Sequence, residues 1–330
     1  MHASDPAPPP PRGVRPEPEA WSYARTLKDP ATEEVIDLVW HRPIAYMVLR
    51  PWERAPWRPT PTQFTLVGGA LGLLASAVAL VAPEGSLLWP LAALLMFSAN
   101  ILDCCDGMLA RLTGQASSRG MLLDGMIDFI VGVSFWLAMS IRSAPDWGVW
   151  TVPAALAIIL SILIHTGLYD HMKLRFNVLV TPPEQPRAVA TPPQSAQPYP
   201  RRGVKDWFLD GFFGFAQAFY EVTYTNISRI CLHVEPSSPR PAVDPGFARQ
   251  LFTGPMRMAS YLGLGTHLFL MYGATALGCL ALELPFYVAI GTVVFVLNLW
   301  AALVVVAWRR AEALVAGLGV DPQARADAPV

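Results

Sequence analysis

Four aspartates, Asp103, Asp106, Asp124 and Asp128, stand in one short stretch, ILDCCDGMLARLTGQASSRGMLLDGMIDFIVG (residues 101–132), between two long apolar runs. Carboxylates at the edge of a bilayer are costly unless they are paired or face a water-filled cavity. Asp103 and Asp106 are three positions apart, and Asp124 and Asp128 four, so on helices each pair shares a face. Antiparallel helices joined by the short polar turn between them would bring the two pairs together. Four converging carboxylates oppose one another's ionisation, and a hard divalent cation with oxygen ligands relieves this. Mg²⁺ is the first choice, because it binds through a few carboxylates plus substrate phosphates. Gly107, Ala110, Gly120 and Gly125 let backbones, or a flat ligand, approach closely. Arg111 adds a planar fixed charge suited to phosphate. The set reads as a site for a metal-bound phosphate ester. The plainer alternative is two interfacial ion pairs, Asp103 with Arg111 and Asp124 with Arg119.

The elements that must position these residues are apolar helices. The chain has 330 residues, 53% hydrophobic and 15% charged, against about a quarter charged in a soluble domain. Six segments, each about 20 residues long, can cross a hydrocarbon core of roughly 30 Å. They run from about Phe64 to Ala82, Leu87 to Ala110, Met121 to Ile141, Val149 to Tyr169, Met258 to Leu282 and Phe286 to Trp308. Pro83, Pro145 and Pro285 are expected at the turns of three helical hairpins. The expected fold is an all-α integral membrane protein with six transmembrane helices.

Basic residues give the orientation. Arg42, Arg50, Arg54 and Arg58 precede the first span, and Arg111 and Arg119 lie between the second and third. Lys173, Arg175, Arg187, Arg201, Arg202 and Lys205 follow the fourth, and Arg309 and Arg310 the sixth; the opposite loops hold only Arg142. By the positive-inside rule both termini and the aspartates are cytoplasmic. Residues 1–32 are read as a proline-rich disordered cytoplasmic tail, whose first 20 residues have no apolar core and so form no signal peptide. Residues 33–58 suit an amphipathic helix in the headgroup layer. Residues 59–310 form the six-span domain, with a long cytoplasmic loop at 172–255, and 311–330 a cytoplasmic tail. The loop's aromatic part, around 204–234, is expected either to lie in the interface or to pack on the ends of the spans. The net charge of -1 excludes a nucleic-acid binder by charge. Four cysteines without metal-ligand spacing give neither a disulfide framework nor zinc.

The stretch resembles the motif of the CDP-alcohol phosphotransferases, D-x2-D-G-x2-A-R-x8-G-x3-D-x3-D, at Asp103, Asp106, Gly107, Ala110, Arg111, Gly120, Asp124 and Asp128. The likeness covers roughly residues 60–310. It implies release of CMP from a CDP-linked alcohol by the hydroxyl of a second alcohol. It implies two ions, Mg²⁺ or Mn²⁺, held by Asp103, Asp106 and Asp124, with Asp128 the general base and a further contact to metal. Gly107, Ala110, Arg111 and Gly120 would hold the CDP group. A homodimer in a bacterial cytoplasmic membrane, working on membrane lipids, is the family expectation. HRPIAYMVLRPWERAPWRPTPTQFT is similar to the basic segment and P-x-x-x-T approach of members, and SYLGLGTH to the start of a late span.

Candidates for an acceptor or phosphate pocket are His267, Asp170, Arg229 and Arg257, with His165 and Tyr169 at the end of the fourth span. A packing histidine and an interfacial belt are the plainer readings. The leading function is a phospholipid-biosynthetic transferase with CDP-diacylglycerol as donor. The alternative uses CDP-choline or CDP-ethanolamine on diacylglycerol. Different classes are a divalent-cation transporter, which would need polar residues deep in several spans, and an inactive scaffold, which would lack a motif aspartate.

Overall fold

The computed structural model describes residues 21–181, 211–219, 232, 243–278, 280 and 284–318, and no β-strand occurs among them. The first ordered element is a single turn, α1 (Tyr23–Thr26), followed by a 3₁₀ turn at Pro30–Thr32. The tail expected over residues 1–32 therefore gives way to packed chain from Trp21. Thr26, Ala31 and Thr32 are buried, the Trp21 amide donates to Glu53 Oε1 at 2.7 Å, and Tyr169 donates its hydroxyl to Thr32 O at 2.6 Å. These anchors lie far away in sequence, so composition does not show them.

The expected amphipathic segment is a π-helical turn, Asp37–His41, running into α2 (Arg42–Leu49). One face packs down through Ala45 and Leu49 onto Phe64, Ile101 and Cys105. The other leaves Val39, Trp40 and Met47 exposed, as a helix at a headgroup layer would.

α3 (Pro61–Val81) opens with a capping box. Thr60 Oγ1 accepts from the Gln63 amide, Gln63 Oε1 accepts from the Thr60 amide, and Pro61 takes the first helical position. α4 (Leu88–Thr113) stops at Gly114, whose φ of 67° is a left-handed cap. α5 (Ser118–Trp147) begins where Ser117 Oγ accepts from the Gly120 amide at 3.1 Å. Pro145, expected at a turn, sits inside the last turn of α5. The reversal is made by Gly148, with φ 51°, after which α6 covers Thr151–Val180. α7 (residues 211–219) lays Phe212 and Phe213 on Leu122 and Met126 of α5; the rest of the aromatic loop segment, apart from residue 232, lies outside the described residues.

α8 (Pro245–Ala259) is capped by Asp244. A 3₁₀ turn and the extended Gly263 separate it from α9 (Leu264–Leu277). The fifth expected span, Met258 to Leu282, is thus not one helix. Its apolar part is 14 residues, about 21 Å at 1.5 Å per residue, short of a roughly 30 Å core. α10 (Leu284–Val288) passes through a π-helical stretch, Ala289–Leu297, into α11 (Asn298–Leu318). α11 runs past the expected domain end at 310, because Ala311 and Val315 are buried beside Phe252 and Trp308.

Among the described residues, four helical stretches are long and apolar enough to cross a membrane: Pro61–Val81, Leu88–Thr113, Arg119–Val180 and Pro285–Ala316. The third has 62 residues, roughly three core thicknesses if straight. It folds back at Gly148, and Trp136 of α5 and Ile162 of α6 line one cavity.

What positions the site is the closeness of α3, α4 and α5. A Cβ on Gly69 would lie 2.6 Å from Ile127 Cγ2, and one on Gly72 2.6 Å from Val131 Cγ1. Only glycine permits that approach, and it holds the Asp124–Asp128 stretch of α5 close to α3, which also packs on α4.

Candidate active site

Asp103 and Asp106 project from the C-terminal part of α4, and Asp124 and Asp128 from the N-terminal part of α5. The short turn at residues 114–117 joins the two helices, and both pack on α3. Asp103, Asp106 and Asp124 each offer a carboxylate oxygen within 4.8 Å of the others. Asp103, Asp124 and Asp128 line a cleft of about 400 Å³ with Thr65, Gly68, Gly69, Asn100 and Leu268. Asp103 and Asp124 belong to both groups. Asp106 is buried and accepts from Thr65 Oγ1 at 2.5 Å; Thr65 is the threonine of the P-x-x-x-T approach.

The donor set fits a divalent cation. Asp124 Oδ1 is buried with no hydrogen-bond partner, a costly state for a carboxylate oxygen unless a cation meets it. Of the simple ion pairs, that of Asp103 with Arg111 is not seen among the described residues. Arg111 donates from Nε to Thr26 O at 2.6 Å instead of pairing with Asp103, and Arg119 lies over the Phe213 ring at 5.9 Å.

The expected nucleotide residues sit around this centre. Gly107 and Ala110 follow Asp106 on α4, half-buried. A Cβ on Gly107 would touch Arg111 Nη1 at 3.4 Å. Gly120 is in the first turn of α5, its amide held by Ser117.

Three of the four acceptor-pocket candidates are among the described residues. His267 is buried, bonded through Nδ1 to Gly263 O at 2.7 Å and through Nε2 to His165 at 3.1 Å. It lines a second cavity, of about 260 Å³, with Trp136, Met271 and Pro285. Adjacent helix positions differ by about 100°, so its neighbour Leu268 is the one that faces the aspartate cleft. Asp170 pairs with Lys173 at 3.2 Å, and Arg257 donates to Glu33 O at 3.5 Å. Arg229 lies outside the described residues.

Sequence reasoning missed the contribution of residues 26–41. Arg42 and Glu33 form a buried ion pair of 2.8 Å, with Arg42 Nε and Nη1 buried and unpartnered. The Lys28 amide donates to Glu33 Oε1 at 2.7 Å. The Lys28 side chain is solvent-exposed, but many protein atoms crowd its ammonium, and it is held at a pKa of about 8, first by Lys173, then by desolvation and by Arg111. Glu34 accepts from the amides of Gly265 and Thr266, and burial and Asp37 push its pKa up to about 8. Asp37 bonds His41 at 2.8 Å, and Asn100 reaches His41 at 3.0 Å. The i, i+4 spacing of Asp37 and His41 was the one visible signal, and it is too common to single out.

Residues 58–190, which contain all four aspartates, match the family model described as CDP-alcohol phosphatidyltransferase. Over these residues the chain is similar to the CDP-alcohol phosphatidyltransferase family. Archaetidylinositol phosphate synthase of Pyrococcus horikoshii is 32% identical over 90 residues, which cover 27% of this chain and 45% of that relative. The aligned part is therefore less than half the relative's length. The likeness to this membrane-enzyme family, with the four apolar stretches, supports an integral membrane protein that is helical among the described residues.

Proposed function

We propose that this protein is a phospholipid-biosynthetic transferase. It moves a substituted phosphate from a CDP-linked alcohol, CDP-diacylglycerol in this reading, to the hydroxyl of a second alcohol and releases CMP. The observation that carries the proposal is the pairing of Asp103, Asp106 and Asp124 within 4.8 Å with a cleft on which Asp128 faces Asp103 and Asp124. Asp103, Asp106 and Asp124 would hold divalent cations, Mg²⁺ or Mn²⁺, with Asp128 adjoining. Bound there, two such ions neutralise a diphosphate and stabilise the leaving CMP. Asp128 takes the proton of the attacking hydroxyl. Gly107, Ala110 and Gly120 let the nucleotide approach the backbone, and Arg111 faces its phosphates.

For the acceptor, Lys28, Arg42 and Lys173 gather beside the site, and Arg42 and Lys28 act electrostatically on Asp103. Together with the name of the Pyrococcus horikoshii relative, archaetidylinositol phosphate synthase, this supports an alcohol that itself carries a phosphate, such as an inositol phosphate. In this reading α3, α4, α5, α6, α9 extended by the turn at residues 260–263, and the α10–α11 unit make six crossings. Both termini and the cleft are cytoplasmic, the protein is a homodimer, and the membrane is the cytoplasmic membrane of a bacterium.

The test is CMP release by purified protein with Mg²⁺. CDP-diacylglycerol, CDP-choline and CDP-ethanolamine are each offered serine, glycerol phosphate, inositol phosphate and diacylglycerol. Release from CDP-diacylglycerol with a phosphorylated acceptor, lost in Asp128→Asn, is expected. Release with CDP-choline or CDP-ethanolamine and diacylglycerol would reverse donor and acceptor. Mn²⁺ flux into liposomes without nucleotide turnover would replace the enzyme by a transporter.

A further inference from the structure

Asn100 is 4% exposed and stands one helical turn before Asp103 on the same face of α4. It lines the aspartate cleft with Asp103, Asp124 and Asp128. Its amide nitrogen lies 3.0 Å from His41 Nε2. His41 is fully buried, and its other ring nitrogen lies 2.8 Å from Asp37 Oδ1. A carboxylate only accepts, so His41 Nδ1 carries a proton, and in the neutral imidazole Nε2 presents its lone pair. Asn100 must then donate to it from Nδ2. The Tyr272 hydroxyl, 3.2 Å from the same nitrogen, is a second group aimed at that lone pair. With its nitrogen committed, the planar amide turns Oδ1 away from His41. That oxygen has no protein partner among the described residues.

The geometry points to Asn100 as a neutral oxygen ligand for the cation on the Asp128 side of the site, aimed there by Asp37 and His41 as positioning residues. This rests on the function proposed above. Asp106 groups with Asp103 and Asp124 at one end, and Asn100 and Asp128 line the cleft with the same two aspartates at the other. Asp103 and Asp124 serve both ends. Hard cations accept amide carbonyls as readily as carboxylates, provided the oxygen is held in place. A neutral ligand also suits the charge count. Four carboxylates balance two divalent ions, and a fifth would repel the incoming diphosphate.

The test is Mn²⁺ binding by the full-length protein in detergent, followed by electron paramagnetic resonance and titration calorimetry, with CDP binding measured in parallel. Asn100→Leu keeps the volume and removes the oxygen; one Mn²⁺ is expected to bind about 10-fold more weakly or worse, the order seen when a ligand's support is removed. Asp37→Asn leaves Asn100 in place but loosens the His41 tautomer, and a smaller loss in the same ion is expected. Asn100→Asp is expected to hold Mn²⁺ as well as the parent while binding CDP more weakly, a split that a purely structural role for Asn100 does not produce. Unchanged Mn²⁺ binding in both Asn100→Leu and Asp37→Asn would overturn the inference. Asp124→Asn separates the two levels. If it abolishes Mn²⁺ binding while Asn100→Leu does not, only this inference falls; if it too binds normally, the metal-based function falls with it.

Discussion

Thr266 donates its backbone amide to Glu34 Oε2 at 3.0 Å, across 232 positions of sequence. This bond, with that from Gly265 to Glu34 Oε1, starts α9 where it starts. It also fixes the segment that carries Asp37, His41 and Arg42 against the helices that carry the aspartates. The first four amides of a helix need outside acceptors, and a side chain from the N-terminal segment supplies them here.

The fit is close enough to test with one methyl group. A Cβ on Gly263 would lie 2.1 Å from Glu34 Cδ, and one on Gly265 2.4 Å from Asp37 Oδ1. Gly263→Ala is expected to cost about 1–3 kcal/mol, as overpacking does, and to expose residues 21–41 to limited proteolysis. Parent-like melting and digestion would mean that the segment is not held through Glu34.

Asp128→Asn keeps shape and removes the base. CMP release is expected to fall by about 10²- to 10⁴-fold, the usual worth of a positioned general base, with little change in CDP binding. Single-turnover rates set against CDP titrations separate the two effects.

Arg42→Met leaves Glu33 buried without its cation. The expected cost is about 3–5 kcal/mol, because breaking a buried pair strands a charge. The double variant Arg42→Met with Glu33→Gln removes that stranded charge and should regain most of the melting temperature. Its acceptor KM should stay high if Arg42 also faces the acceptor's phosphate. A normal KM in the stable double variant would confine Arg42 to a structural role.

Lys28 gives a pH signature. Its pKa is lowered from 10.5 to about 8, so the folded protein disfavours the charged ammonium. The resulting stability penalty is fully present below pH 8 and is relieved as pH rises from about 8 towards the unfolded value. Anion binding has the opposite preference, since it needs the ammonium charged. Acceptor KM is therefore expected to rise above about pH 8, and Lys28→Arg, which stays charged, to flatten that rise. A parent profile that is level through pH 9 would remove Lys28 from the acceptor site.

The sequence alone determined which carboxylates gather at the centre. The spacing of Asp103, Asp106, Asp124 and Asp128 on either side of a polar turn specifies a carboxylate cluster, because helix periodicity and a short antiparallel connection leave little other arrangement. Apolar length located α3, α4, α5, α6 and α11, since burying or spanning a helix requires that composition. It did not locate the break at Gly263, where a hydrogen bond to Glu34 outweighs a run of apolar residues that reads as continuous.

Only the tertiary structure decided what surrounds the aspartates. It turned His267 into a separate cavity and Leu268 towards the cleft, a difference of one helix position that hydropathy cannot resolve. It also drew Trp21 to Thr32 out of an apparently featureless tail, through single bonds from Glu53, Arg111 and Tyr169. Long-range contacts of this kind depend on which surfaces meet once the helices pack. A linear pattern records the face each residue presents, but not the partner that face will find.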